Sequence, residues 1–245
     1  DAAITLQTIA GHDPRDPYSW KAPVPNYLGT LNRGISGMRL ALITDLLQST
    51  QVHHEVRHAV LEASNVLEGL GANLEEVSIP LSCHATEIAD ALRVEPGSNR
   101  LNYLRANTNQ FGHDARIVLL TGAIMPAQYY YKVQRLRAML RDQYLNVLND
   151  YDAVICPTYG IAAQPIEDDQ IFHWKQLAGN NPYPLRRMFN LANAPAMSIP
   201  CGFDSRDLPI GLQIGSAPGK EQTIFQIAQA YEQATIWHNR RPPQA

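Results

Sequence analysis

Lysine is scarce in this sequence: Lys21, Lys132, Lys175 and Lys220 are the four in 245 residues. The net charge is -3 at pH 7, so there is no basic field for a polyanion and no nucleic-acid partner is expected. Cysteine is scarcer still. Cys83, Cys156 and Cys201 lie far apart and form no C-x-x-C pair, which excludes a disulfide framework and a zinc knuckle and makes a reducing cytoplasm the expected location. Apolar runs are a handful of residues long, against the roughly 20 needed to span a bilayer, so no membrane segment is expected. There is no initiator Met, and the opening DAAITLQTIAGHDPRD has no charged stretch followed by an apolar one, so it does not read as a secretory signal. Ile4, Leu6, Ile9 and Ala10 read instead as a helix ended by Gly11, as though the chain enters a domain partway.

What is present is ordinary globular material, 45% hydrophobic with 18% charged residues, enough for one α/β domain with a sizeable core. Pro14, Pro17, Pro23 and Pro25 break any helix or central strand and predict an extended crossing segment up to Tyr27. MRLALIT, from Met38 to Thr44, reads as a strand. Val56, Val60, Ala63, Leu67 and Leu70 then fall at helical spacing with Gly71 just past the end, and ANLEEVSIP reads as a second strand. Strand, helix and strand make a βαβ unit, whose two strands should be parallel. From His84 to Asp150 the pattern is helical, with breaks expected at Pro96 and Gly97 and again at Gly122. The longest helix starts at Pro126, and Tyr130, Val133, Leu140, Tyr144, Val147 and Tyr151 form its stripe, with Arg137 in the vacant slot. DAVICPT is a buried strand by composition. Tyr159 to Arg187 reads as one long irregular stretch carrying Tyr159, Phe172, Trp174 and Tyr183, of the kind that is functional when it occurs in a compact domain. Two more strands are expected near Ala196–Cys201 and Ile210–Ile214, and a closing helix carries Ile224, Ile227 or Ala228, Tyr231 and Thr235.

A search for reacting groups yields little. Acyl-bond hydrolysis needs a nucleophile, a proton acceptor within hydrogen-bond reach and oxyanion donors. Of ten serines, none lies in G-x-S-x-G, in S-x-x-K or in a doubled serine within a Gly-rich run. The four lysines have polar neighbours, where desolvation would not lower a pKa. Cys156 and Cys201 sit in apolar strands and read as small buried hydrophobes, not reactive thiols. His54 and His58 share a helix face, but Glu55 does not complete H-E-x-x-H and no third ligand is near, so no metal is expected. Glu167, Asp168 and Asp169 read as a solvated acidic patch. Arg137 is the exception. A guanidinium in an apolar stripe needs acceptors, either an internal carboxylate such as Asp152 or a polar or anionic group of a substrate.

Several segments, DAAITLQTIAGHDPRDP, GISGMRLALI, YYYKVQRLRAML, YDAVICPT, FNLANAPAMSIPCGF and LPIGLQIG, occur in an order and spacing that resemble the C-terminal half of amidase signature enzymes. That family includes bacterial amidases, fatty acid amide hydrolases, allophanate hydrolases and the amidase subunit of glutamyl-tRNA amidotransferase. The resemblance covers nearly the whole chain, and its most specific parts are NAPAMSIPCG and LPIGLQ. It implies an α/β fold with a mixed β-sheet flanked by helices, residues 1–245 forming the C-terminal portion of one domain: 1–37 a leading helix and Pro-rich crossing, 38–245 the α/β body. It also implies cofactor-free hydrolysis of an amide by a Ser, cis-Ser, Lys triad that belongs to the N-terminal half, whose Gly/Ser-rich signature does not occur in these 245 residues.

The resemblance further implies that Arg137 matches an arginine presented toward the acyl pocket in some members. Tyr159, Phe172 and Trp174 fall in the variable wall of that pocket, and Asn190 orders the turn behind it. Tyr183 stands near the place of an aspartate that holds a substrate amino group in the amidotransferase members, which argues against glutamine recognition. The expected partners are an N-terminal amidase half, in the same gene product or a separate chain, and a small amide substrate, with a homo-oligomer possible. The chain alone is expected to be inactive. The competing expectation is a non-catalytic remnant serving as a binding or scaffolding module, and a third is a thiol hydrolase using Cys156 or Cys201.

Overall fold

The computed structural model describes residues 1–92, 95, 100–163 and 184–241. Five strands, β1 (Arg39–Ile43), β2 (Asn73–Val77), β3 (Ala153–Pro157), β4 (Ala196–Phe203) and β5 (Pro209–Gly215), form one sheet in the order β2-β1-β3-β5-β4. β1 runs parallel to both β2 and β3, and β5 is antiparallel to β3 and β4, so the sheet is mixed, as the resemblance implies. Every residue of β3 is buried, so both faces of the sheet are covered there.

The βαβ unit forms as its periodicity predicts. Helix α1 (Ala2–Ile9) precedes it, α2 (Thr44–Leu47) is a single turn after β1, and α3 (His54–Gly69) is the crossover between the parallel strands. Val56, Val60, Ala63 and Leu67 are the buried face of α3. Gly71 stops it with a φ of 92°, a left-handed conformation that an L side chain rarely adopts. Next come α4 (Ala85–Leu92), α5 (Leu101–Ala106), α6 (His113–Ile124), α7 (Ala127–Val147), α8 (Pro184–Ala192) and α9 (Glu221–Ala234). Two helical groups cover the sheet: α3 and α9 touch each other and both β4 and β5, while α4, α7 and α8 pack on one another. Tyr144 of α7 and Phe189 of α8 meet edge to face at 5.8 Å, and the Tyr144 hydroxyl donates to the Ser216 carbonyl at 2.9 Å, tying this group to the end of β5. Helix α1 docks separately, with Ala3 packed on Tyr27 and Phe225.

Three local expectations change. Gly122 lies inside α6, which continues to Ile124; the break comes at Met125 and Pro126, where the backbone turns extended ahead of α7. The expected irregular stretch to Arg187 ends earlier, because Leu185, Arg186 and Arg187 are already in α8, whose Leu185, Met188, Phe189, Leu191 and Ala192 are buried. The strand expected to end near Cys201 runs on, with Pro200, Cys201 and Gly202 all inside β4, which reaches Phe203. The register there slips from Pro200 opposite Gly211 to Gly202 opposite Ile210, a β-bulge that bends the strand without reversing it. The chain reverses instead at Asp204–Leu208, where the Asp204 carboxylate accepts from the backbone N–H of Arg206 at 3.0 Å and of Leu208 at 2.9 Å. The expected break at Pro96 and Gly97 and the acidic patch at Glu167–Asp169 lie outside the described residues.

Candidate functional site

A cleft of about 440 Å³ opens where β3 ends and the β4–β5 hairpin passes. Its position follows from the sheet. β3 delivers Thr158, Tyr159 and Ile161 directly from its buried strand, β4 and β5 contribute Ser198, Ile199, Ile210 and Gly211, and α3 offers Val56. Backbone bonds fix these parts to one another. The Thr158 N–H donates to the Gly211 carbonyl at 2.9 Å, and the His53 N–H, just before α3, donates to the Gly160 carbonyl at 2.8 Å. Glu55, in the first turn of α3, accepts from the Ser205 N–H at 2.9 Å and so ties the hairpin tip to the helix.

Most of the cleft lining is apolar; its polar side chains among the described residues are Thr158, Tyr159, Arg186 and Ser198. The hydroxyls of Thr158 and Ser198 lie 2.6 Å apart. Thr158 follows β3 directly and Ser198 lies in β4, on either side of β5, and they meet above Gly211. A Cβ on Gly211 would stand 2.7 Å from the Ser198 Oγ and 2.8 Å from the Thr158 Oγ1, so the bare glycine is what lets them touch. The guanidinium of Arg186 lies over the Tyr159 ring, 5.4 Å from its centroid. Such a site can hold a small molecule with an apolar body and a polar head. Among the described residues that line it, none is His, Lys, Asp or Glu, so none can take a proton from a serine at neutral pH.

Of the five side chains expected at the site, the structure brings Tyr159 to the cleft. Phe172 and Trp174, with Tyr183 and Lys175, lie outside the described residues. Asn190 is exposed on α8, in a helix and not a turn, and its carbonyl accepts from the Asn193 N–H at 3.2 Å. Arg137 does not line the cleft. Its Nε donates to the Leu191 carbonyl at 3.0 Å and its Nη2 to the Asn193 side-chain oxygen at 2.7 Å, so it satisfies the C-terminal end of α8. The expected internal partner, Asp152, is engaged elsewhere: its carboxylate accepts from the Arg39 N–H at 2.9 Å. Thr158 and Ser198 escape sequence reading because they are 40 positions apart; the available signal was that a strand glycine marks a close approach.

The thiols are poorly placed for chemistry. Cys156 and Cys201 are buried, and desolvation pushes the Cys201 thiol up to about 12 and the Cys156 thiol up as well. Cys83 is exposed, and its thiol too is pushed up, by partial burial and by the nearby Asp45 carboxylate. A thiolate nucleophile at neutral pH is therefore disfavoured at all three. Among the described residues no three His, Cys, Asp or Glu side chains come together as a metal site. Nor is any helix there long and apolar enough to cross a membrane.

Comparison with known proteins agrees with this architecture. The Amidase family model matches residues 1–225. A glutamyl-tRNA(Gln) amidotransferase subunit from Thermosynechococcus vestitus is 34% identical over 271 residues, covering 99% of this chain and 55% of that protein. Its counterpart from Halalkalibacterium halodurans is 35% identical, over 99% of this chain and 54% of the relative. The chain thus spans about half the length of the curated relatives it matches. Among solved structures, a bacterial aryl acylamidase of the amidase signature enzymes superposes with a TM-score of 0.85 at 19% identity, over 97% of this chain and 51% of that one, a likeness of fold. The corresponding amidotransferase subunit from Thermotoga maritima superposes with a TM-score of 0.72 at 28% identity, covering 95% of this chain and 50% of that one. With the family model matched over residues 1–225 and the mixed sheet shared, this chain belongs to the amidase signature family.

Proposed function

We propose that this chain forms the C-terminal wall of a site that hydrolyses the carbon–nitrogen bond of a small amide, with the nucleophile and its base supplied by an N-terminal amidase half. The observation that carries this reading is the composition of the cleft, whose described residues offer hydroxyls, a guanidinium and apolar walls but no proton acceptor. Family membership supports the reaction class, and the roughly half-length match supports a contribution from elsewhere. In that scheme the lysine of a Ser, cis-Ser, Lys triad takes the serine proton through the middle serine, the proton passes to the nitrogen as the carbon–nitrogen bond breaks and the amine leaves, and water then releases the acid from the acyl-enzyme. No cofactor is needed. Tyr159 serves as a wall of the acyl pocket, while Asn190 and Arg137 act from behind it by holding α8; the roles expected for Phe172 and Trp174 fall outside the described residues. Residues 1–245 then constitute part of one domain, working in the cytoplasm, where Cys156 and Cys201 stay reduced.

The test is hydrolysis of a panel of aryl and aliphatic amides by the 245-residue chain alone and then mixed with an N-terminal amidase fragment. Turnover only in the mixture is the expected result. Turnover by the chain alone would overturn the division of labour, and silence in both would favour a non-catalytic binding module.

A further inference from the structure

Thr158 and Ser198 pose a problem of geometry before they pose one of chemistry. They flank β5 on opposite sides, and two strands separated by a third are about 9–10 Å apart. Short side chains from such strands meet only if the middle residue has none, and Gly211 is that residue. Nothing in its backbone requires glycine, since its φ is not in the left-handed region. The space above it is what an alanine would destroy. The result is a pair of hydroxyls, side by side at 2.6 Å, on an otherwise apolar floor formed by Ile199, Pro200 and Ile210.

Two hydroxyls at this distance share one hydrogen between them. One O–H is consumed in that bond. The other remains to donate outward, while the oxygen that gave its hydrogen keeps lone pairs to accept. The pair therefore shows the cleft one donor and one acceptor next to each other. A primary carboxamide has the complementary edge, a carbonyl oxygen beside the N–H that lies on the same side. A carboxylate has no N–H to give, a ketone likewise, and an ammonium has no acceptor. With no proton acceptor among the described lining residues, the hydroxyls bind and position; they do not attack.

We propose that Thr158 and Ser198, brought together over Gly211, form a subsite that anchors a primary carboxamide, with its apolar body against Val56, Ile199 and Ile210. Thr158 and Ser198 are positioning residues that set specificity for amide over acid. The inference deepens the reading of the cleft as an amide site and rests on it for the class of ligand. Arg186 gives the subsite a competitor, because its guanidinium on the same cleft would favour a carboxylate if charge governed binding.

Binding of benzamide, benzoate and acetophenone to the 245-residue chain, measured by ligand-observed NMR titration, separates these cases. Benzamide should bind at least about fivefold more tightly than the other two, one neutral hydrogen bond being worth about that factor. Thr158→Val and Ser198→Ala should each weaken benzamide by about fivefold, and Thr158→Ser and Ser198→Thr should retain it. Gly211→Ala should weaken it too although both hydroxyls remain, with an amide fingerprint spectrum confirming the fold. No detectable benzamide binding, preference for benzoate, or benzamide affinity indifferent to Thr158→Val and Ser198→Ala would each overturn the proposal. The hydrolysis reading fails separately: amide turnover with an N-terminal fragment whose KM ignores these variants removes the anchor alone, and benzamide binding through the pair without turnover removes the hydrolysis alone.

Discussion

Arg137 shows how a residue conspicuous in sequence can be structural. Its guanidinium fork reaches two acceptors at the end of α8, the Leu191 carbonyl and the side chain of Asn193, whose φ of 54° is left-handed. Replacing it with Met preserves the aliphatic stem and removes both bonds. The site is partly open to solvent, so the expected loss is discounted to about 1–2 kcal/mol, read as a lower urea midpoint at unchanged slope. Arg137→Lys should not restore it, because a single ammonium cannot present the same planar fork. Equal midpoints for wild type and Arg137→Met would make a substrate contact the better account of this residue. The buried thiols make a second expectation. Cys201, raised to about 12, and Cys156, also raised, keep their protons in the folded chain, whereas in the unfolded chain thiols ionise near about 8.5. Above that value the unfolded state has lost protons that the folded state still holds, so stability is full below about pH 8.5 and falls as the pH rises. Each thiol contributes a slope of about 1.4 kcal/mol per pH unit, and the pair about twice that. Chemical denaturation between pH 8 and 10 should show the decline, and Cys201→Ala should make it shallower; an unchanged slope would mean that the thiol reaches water.

At the scale of elements, α7, α8 and β5 meet at Gly215, which has the least room for a Cβ among the described glycines. A Cβ on Gly215 would run into the Phe189 ring and stand 2.9 Å from the Tyr144 hydroxyl, which is itself bonded to Ser216. Gly215→Ala should therefore cost about 3 kcal/mol in a thermal or urea melt, and Phe189→Leu in the same chain should recover part of that by vacating the ring position. A single Gly215→Ala variant as stable as wild type would mean that α8 can slide on the sheet. This junction also marks how far sequence could be read. β1, α3, α7, β3, β5 and α9 follow from periodicity and end signals, because each carries buried residues of its own, such as Val56, Val60, Ala63 and Leu67 in α3; β2, which has no buried residue, follows from the stop of α3 at Gly71 just before it. Helix α8 was half hidden, since Leu185, Met188, Phe189, Leu191 and Ala192 pack against distant partners and the flanking prolines suggest a loop. The bulge at Cys201 depends on how β4 registers with β5, a pairing that no local window contains. The cleft was legible only at Tyr159. Thr158 and Ser198 are unremarkable residues until strand pairing puts Gly211 between them, and the two bonds of Arg137 depend on a helix that the pattern did not delimit.

On the whole molecule, the two ends of the sheet are protected unequally. β2 is one edge, and it carries Glu75 and Glu76, whose charges discourage another strand from pairing. β4 is the other edge. Its sequence, AMSIPCGF, has no charge, and the strand's own protection is the missing N–H of Pro200 and the bulge beside it. Large apolar side chains are also open elsewhere, with Ile124 81% and Ile9 74% exposed, well beyond what a solvated helix face needs. An uncharged edge together with open apolar surface favours association between copies. Light scattering over a concentration series should show the average mass of the chain rising with concentration. Ala196→Lys places a charge on the exposed first residue of β4 and should shift the series toward monomer. If wild type stays monomeric at high concentration, or if Ala196→Lys associates as wild type does, β4 is not the surface through which copies meet.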